Sequence, residues 1–207
     1  MFEGFLNKFK ADRMNDKGLP SSFGSGFGAS GFKEFFELYS GSSFNNGLYR
    51  VHSANQVESW NNVLSEAFPE FSKRLCCFGY DWLGRQFALD NGRVENSEPL
   101  ILMLEPGTGE ALEIPVSFIM FHEDELVNYA NEALALDFYQ AWLSSGNEAP
   151  NINQCVGYKK PLFLGGADDI SNLELVDLEV YWELSSQLIN KVRGLPPGTP
   201  INNVSIS

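Results

Sequence analysis

The 207 residues carry 14 Lys and Arg against 27 Asp and Glu, a net charge of −13, with 43% hydrophobic and 14% aromatic side chains. That charge disfavours a protein whose main task is gripping nucleic-acid phosphate or an anionic membrane, and the apolar content excludes a chain too polar to fold. A chain of this length buries enough surface to fold without disulfides or metal.

Phe2, Phe5, Leu6 and Phe9 recur at helical spacing and predict a short amphipathic helix at the start. Residues 18–31, rich in Gly and Ser, read as loop. Phe32, Phe35, Phe36 and Tyr39 predict a second short helix that ends near Gly41. A strand is expected over 48–52, and then a helix capped by Ser53 that runs through Val57, Trp60 and Leu64 to Pro69. Residues 74–82 and 85–89 predict a hairpin across Gly84, and 100–104 with 111–114 another across 106–109. The stretch 117–143 reads as helix in two pieces, 122–134 and 136–143. Strands follow around 161–164 and 173–176, and Asp177 caps a final helix that Arg193 and Gly194 end and Pro196-Pro197 keep ended. Helices mix with antiparallel hairpins without βαβ alternation, so the expected class is α+β, in two poorly separated subdomains.

Charge is uneven along the chain. Residues 1–93 balance their acids and bases, whereas 94–158 contain no Lys or Arg and eleven acids: Glu95, Glu98, Glu105, Glu110, Glu113, Glu123, Asp124, Glu125, Glu132, Asp137 and Glu148. Unpaired carboxylates are expensive to bury, so this run reads as solvent-facing, either a solubilising face or a surface for a cationic partner. Three cysteines cannot all pair, and adjacent Cys76 and Cys77 on a strand point to opposite faces. That count suits a reducing cytosol. With no signal-peptide-like apolar core near the start and no run long enough to span a bilayer, the expectation is a soluble cytoplasmic protein.

Catalytic constellations are poorly supplied. Gly26, Gly28 and Gly31 match GxGxxG but follow loop rather than strand, which reads as a connector. The run 122–125 (HEDE) is not HExxH, and four consecutive helical residues point in four directions, so it reads as acids at a helix start with His122 close by. His52 stands alone on a strand. Asp168 and Asp169 read as solvated turn residues, and the four tryptophans as core. No metal or cofactor is expected.

Residues 77–90 (CFGYDWLGRQFALD), 102–115 (LMLEPGTGEALEIP), 155–166 (CVGYKKPLFLGG) and 172–201 together resemble the C-terminal domain of type VI secretion immunity proteins that neutralise a DNase effector. Residues 44–60 (FNNGLYRVHSANQVESW) are similar to the GAD-like domain that usually precedes it. The resemblance implies a GAD-like region over 1–72 and an immunity-type domain over 73–207, with a broader analogy to SUKH-type immunity proteins. It implies a non-catalytic protein whose partner is a basic nuclease toxin. Clustered carboxylates suit that partner, because a nuclease groove that holds phosphate is cationic. The expected partner-binding residues are Glu123, Asp124 and Glu125, exposed at a helix start, with Asp168 and Asp169 extending the patch. The competing readings are a regulatory or sensor module without a toxin, and an enzyme using residues 165–169 with His52 or His122.

Overall fold

Phenylalanine spacing produces the first two helices, α1 (Glu3–Lys8) and α2 (Phe32–Tyr39), each turning its rings into the core. The computed structural model describes residues 1–13 and 28–195; Gly26 and Pro196-Pro197 lie outside the described residues. Strand β1 (Ala11–Arg13) separates the two helices in sequence. After α2 come β2 (Ser43–Phe44), β3 (Tyr49–Val51), α3 (Val57–Ala67), β4 (Leu75–Asp81), β5 (Gln86–Glu95), β6 (Glu98–Glu105) and β7 (Glu110–Ile114). All seven strands form one antiparallel sheet whose spatial order follows the chain. Strands on both sides of residues 72 and 73 belong to this one sheet, because β3 pairs directly with β4.

The mixed helices and antiparallel sheet make this an α+β fold. Alternation along the strands sends side chains to two cores. Cys76, Phe78, Phe87, Leu89, Ile101 and Met103 face one, with the rings of α1 and α2; Leu75, Cys77, Ala88, Leu102 and Leu104 face the other, with α3. Cys76 and Cys77 thus do point to opposite faces, and all three cysteines are free and buried. A bulge between Cys77 and Gly79 shifts the parity, which puts Tyr80 with Cys77, while Trp82, just past the end of β4, turns back to the core of Phe78. Both faces are covered, which is why β4 is apolar along most of its length.

The first predicted hairpin closes as expected across Gly84, at φ +77°. Asp81 organises it: its carboxylate accepts from the amides of Leu83 and Arg85 at 3.0 Å and from Arg85 Nε at 2.6 Å. The β5–β6 connection was not foreseen, because its polar run hides a two-residue turn in which Asn96 (φ +50°) and Ser97 (φ +67°) join Glu95 to Glu98.

Four helices follow: α4 (Phe118–Met120), α5 (Leu126–Asn128), α6 (Ala130–Leu134) and α7 (Leu136–Ser144), with a π-turn at Phe121–Glu125 between the first two. Then β8 (Gln154–Tyr158) pairs with β9 (Leu173–Asp177), and α8 (Leu178–Val192) packs beside α3. Asp177 caps α8 as predicted, accepting from the amides of Glu179 and Val180 at 3.0 Å. Trp182 anchors α8 to the first hairpin by donating Nε1–H to Gly84 O at 2.7 Å.

Two local expectations fail. Residues 161–164 are not a strand: Leu162–Leu164 is a single 3₁₀ turn closed by Gly165 in the left-handed region, and the strand lies earlier, at Gln154–Tyr158. Ser53 does not cap α3. Its carbonyl instead accepts from Gln56 N in a preceding turn, and the helix starts at Val57.

Arg85 and Asp81 form an ion pair inside the fold. Arg85 meets Asp81 at 2.5 Å and donates to Ala133 O at 3.1 Å, while Glu105 stands 3.9 Å from the same guanidinium, too far for a hydrogen bond. Burial pushes the Glu105 carboxyl from 4.5 up to about 7; Arg85 opposes this, and Asp81, Asp168 and Glu110 add to it. A carboxyl raised in the folded state binds its proton more tightly there than in the unfolded chain. The contribution of this group to stability is therefore fully present below about pH 4.5 and is lost as pH rises through about 7. Glu105→Gln is expected to stabilise the protein by up to about 3 kcal/mol at pH 8, with the gain vanishing near pH 4.5, as read by urea unfolding at both pH values.

Candidate partner-binding surface

The acidic run does not remain one exposed field. Several of its carboxylates are used internally. Glu105 is buried beside Arg85, Glu113 pairs with Arg93 at 3.3 Å, and Glu98 accepts from the Ser30 amide at 2.9 Å and from its hydroxyl. Glu123 accepts from the amides of Gly4 at 3.2 Å and Phe5 at 3.1 Å, the first turn of α1. Glu95, Glu110, Asp137 and Glu148 stay exposed at separate places along the chain.

Residues 117–134 shape what is left. Ser117 caps α4 through its hydroxyl. The wider π-turn then brings Phe121, His122 and Leu126 onto the sheet side, where all three are buried. His122 is therefore a core residue rather than a neighbour of surface acids. It lies among Phe2, Phe5, Phe35, Phe78, Phe118 and Phe121, with Nδ1 2.9 Å from Phe118 O and Nε2 2.9 Å from the Tyr49 hydroxyl. Burial lowers its pKa to about 3, so it is neutral. His52 is likewise enclosed, stacked between Trp60 and Tyr80, with Nε2 2.7 Å from Gln86 Oε1 and its pKa lowered by burial to about 4.

With these side chains turned inward, the π-turn offers Asp124 and Glu125 to the outer side. Glu123, Asp124 and Glu125, expected to be exposed, are each partly covered. Asp124 accepts from Asn128 at 2.7 Å. The Glu125 carboxyl is raised by burial and then by the nearby charges of Asp124 and Glu132, which places the three carboxylates in one electrostatic cluster. Two large apolar side chains stand exposed on the same stretch: Tyr129 at 49% and Met120 at 45%. The buried run Leu126, Ala130, Ala133 and Leu134 leaves Tyr129 on the outside, so the apolar pattern held a signal that sequence reasoning missed.

Asp168 and Asp169 sit on the loop that leads to β9 and are not among the charges that act on Glu125. Both are exposed. Asp168 accepts from the Tyr158 hydroxyl at 2.6 Å, and Asp169 accepts from the Ser171 amide at 2.8 Å and from its hydroxyl at 2.5 Å. Those bonds lower the Asp169 carboxyl.

Elsewhere, a cleft of about 370 Å³ lies between Phe68, Phe71, Phe163 and Ile189, with the Arg193–Glu70 ion pair (2.8 Å) among its lining residues. Among the described residues no group of three or more His, Cys, Asp or Glu side chains is placed to hold a metal ion. No helix among them is long and apolar enough to cross a membrane.

Comparison with known proteins bears on this stretch. No curated protein matches the chain. In fold it is similar to the crystal structure of Atu4351 from Agrobacterium tumefaciens, with a TM-score of 0.61 over 90% of this chain and 89% of that one; at 13% identity the likeness is one of fold. Residues 116–189, from α4 to near the end of α8, match the family described as T6SS immunity protein Tdi1, C-terminal, which supports the immunity-protein resemblance for this part of the chain.

Proposed function

We propose that this chain is a non-catalytic, cytoplasmic immunity protein that binds and neutralises a DNase-type toxin of a type VI secretion system. The observation that carries the reading is the match of residues 116–189 to a type VI immunity family, because the same residues carry the carboxylates of Asp124, Glu125 and Glu132 and an exposed Tyr129. A DNase must hold phosphate with cations, so its groove attracts a compact negative surface. The attraction speeds encounter and weakens with salt, whereas lifetime depends on a desolvated anchor. Tyr129, an exposed amphipathic ring on the same stretch, is suited to that second role.

In this reading Asp124 and Glu125 are direct contacts. Asp168 and Asp169, on their separate loop, add to the long-range field that orients approach. Residues 1–72 are taken as the GAD-like region and 73–207 as the immunity-type domain, with SUKH-type proteins as a broader analogy. Neither His52 nor His122 favours the enzymatic reading, since each ring is enclosed in a core with Nε2 facing a protein group.

The test is binding kinetics against purified DNase-type effectors of type VI secretion systems. Reversing Asp124 and Glu125 to Lys together is expected to slow association about tenfold or more at low salt and to flatten its salt dependence. Tyr129→Ala is expected to leave association nearly unchanged and to speed dissociation by roughly 30-fold, the scale of an interface hot spot. Unchanged kinetics in both variants would remove this surface from the proposal.

A further inference from the structure

Residues 117–134 are an unpromising sequence for a rigid surface. Their helical pieces, α4, α5 and α6, are three to five residues long, far below the length at which a helix holds itself together. Glu123, Asp124, Glu125 and Glu132 repel one another, and no Lys or Arg lies within the stretch to offset them. Contacts with the sheet fix its inner side through Phe118, Phe121 and Leu126. Its outer geometry is met by a different element.

That element is α1. Its N-cap, Phe2, has no side-chain acceptor and sits in the left-handed region at φ +66°. The amides of its first turn are therefore in need of a partner. Glu123, more than a hundred residues away, supplies it through both carboxylate oxygens. At the other end of α1, Lys8 Nζ donates to Val127 O in α5, so the cation that the acidic stretch lacks arrives from the N-terminal helix. Between these two polar contacts, Phe2 and Phe5 stand edge-on to the His122 ring at 5.7 and 5.3 Å. Gly4 keeps the approach open, since a Cβ there would come within 3.3 Å of Glu123 Oε2.

We infer that Glu123 is a positioning residue, and that α1 and residues 121–128 form one cooperative unit in which the docked N-terminal helix sets the outward geometry of Asp124, Glu125 and Tyr129. Its carboxylate serves as an acceptor inside the protein rather than as a charge offered to a partner. The inference rests on the docking reading only for the use of the surface; the coupling itself is tested without any partner.

The experiment is native-state hydrogen exchange on the full-length chain. In Glu123→Ala, the amides of Gly4 and Phe5 and those of residues 121–128 are expected to exchange faster together, by about tenfold, while β4–β6 stays protected. Glu123→Gln keeps an acceptor and loses the charge, and is expected to stay within about twofold of the parent. Lys8→Met, which retains the alkyl stem, attacks the unit from its other end and is expected to accelerate the same two segments. Acceleration confined to Gly4 and Phe5 in Glu123→Ala, or to α1 alone in Lys8→Met, would overturn the cooperative unit. Glu123→Gln exchanging like Glu123→Ala would overturn the acceptor role. If the coupling holds while Asp124 and Glu125 variants bind a nuclease normally, the docking proposal falls and the positioning role of Glu123 stands.

Discussion

A stretch of eleven carboxylates with no cation of its own cannot fold on its own terms, and much of this structure is the answer other elements give to residues 94–158. Arg93, on β5, pairs with Glu113, and Arg85 offsets part of the cost of burying Glu105. The Ser30 amide and hydroxyl take up Glu98, and the first turn of α1 takes up Glu123. Each of these partners lies outside the run. The acidic segment is thus held by long-range contacts, and its burial against the sheet is compatible with its charge only because those contacts exist.

Compensation leaves a remainder, and the remainder is compact. Asp124 and Glu132 both act on Glu125, on the part of the chain that exposes Tyr129 and matches an immunity family. Charge spread evenly over a surface aids solubility, whereas charge concentrated around an apolar anchor is the composition of a binding site core and rim. The proposed inhibitor needs no reactive group, and the buried, neutral histidines and raised, buried cysteines are consistent with side chains that serve packing.

Local signals were legible in the sequence, and distant ones were not. Phenylalanine spacing predicted α1 and α2, Asp177 predicted the start of α8, and Gly84 and the 106–109 turn predicted both hairpins, because each depends on neighbours a few residues away. Strand β8 was misplaced for the opposite reason. Gly157 looks like a strand breaker, yet its missing Cβ makes room for the Tyr181 ring, which would meet an added carbon at 2.8 Å. Pro161 to Leu164, apolar enough for a strand, is closed into a turn by Gly165. In the candidate surface, Asp124 and Glu125 were readable as a charge cluster. The commitment of Glu123 to α1 was not, since its partners are Gly4 and Phe5, and no local pattern announces a cap from so far along the chain.

The most direct measurement is a hydrogen-exchange footprint of the 207-residue chain with and without a DNase-type effector of a type VI secretion system that it binds. The account predicts slowed exchange over residues 118–134, centred on Asp124 to Tyr129. Protection confined to the cleft around Phe68 and Ile189, with residues 118–134 unchanged, would contradict it.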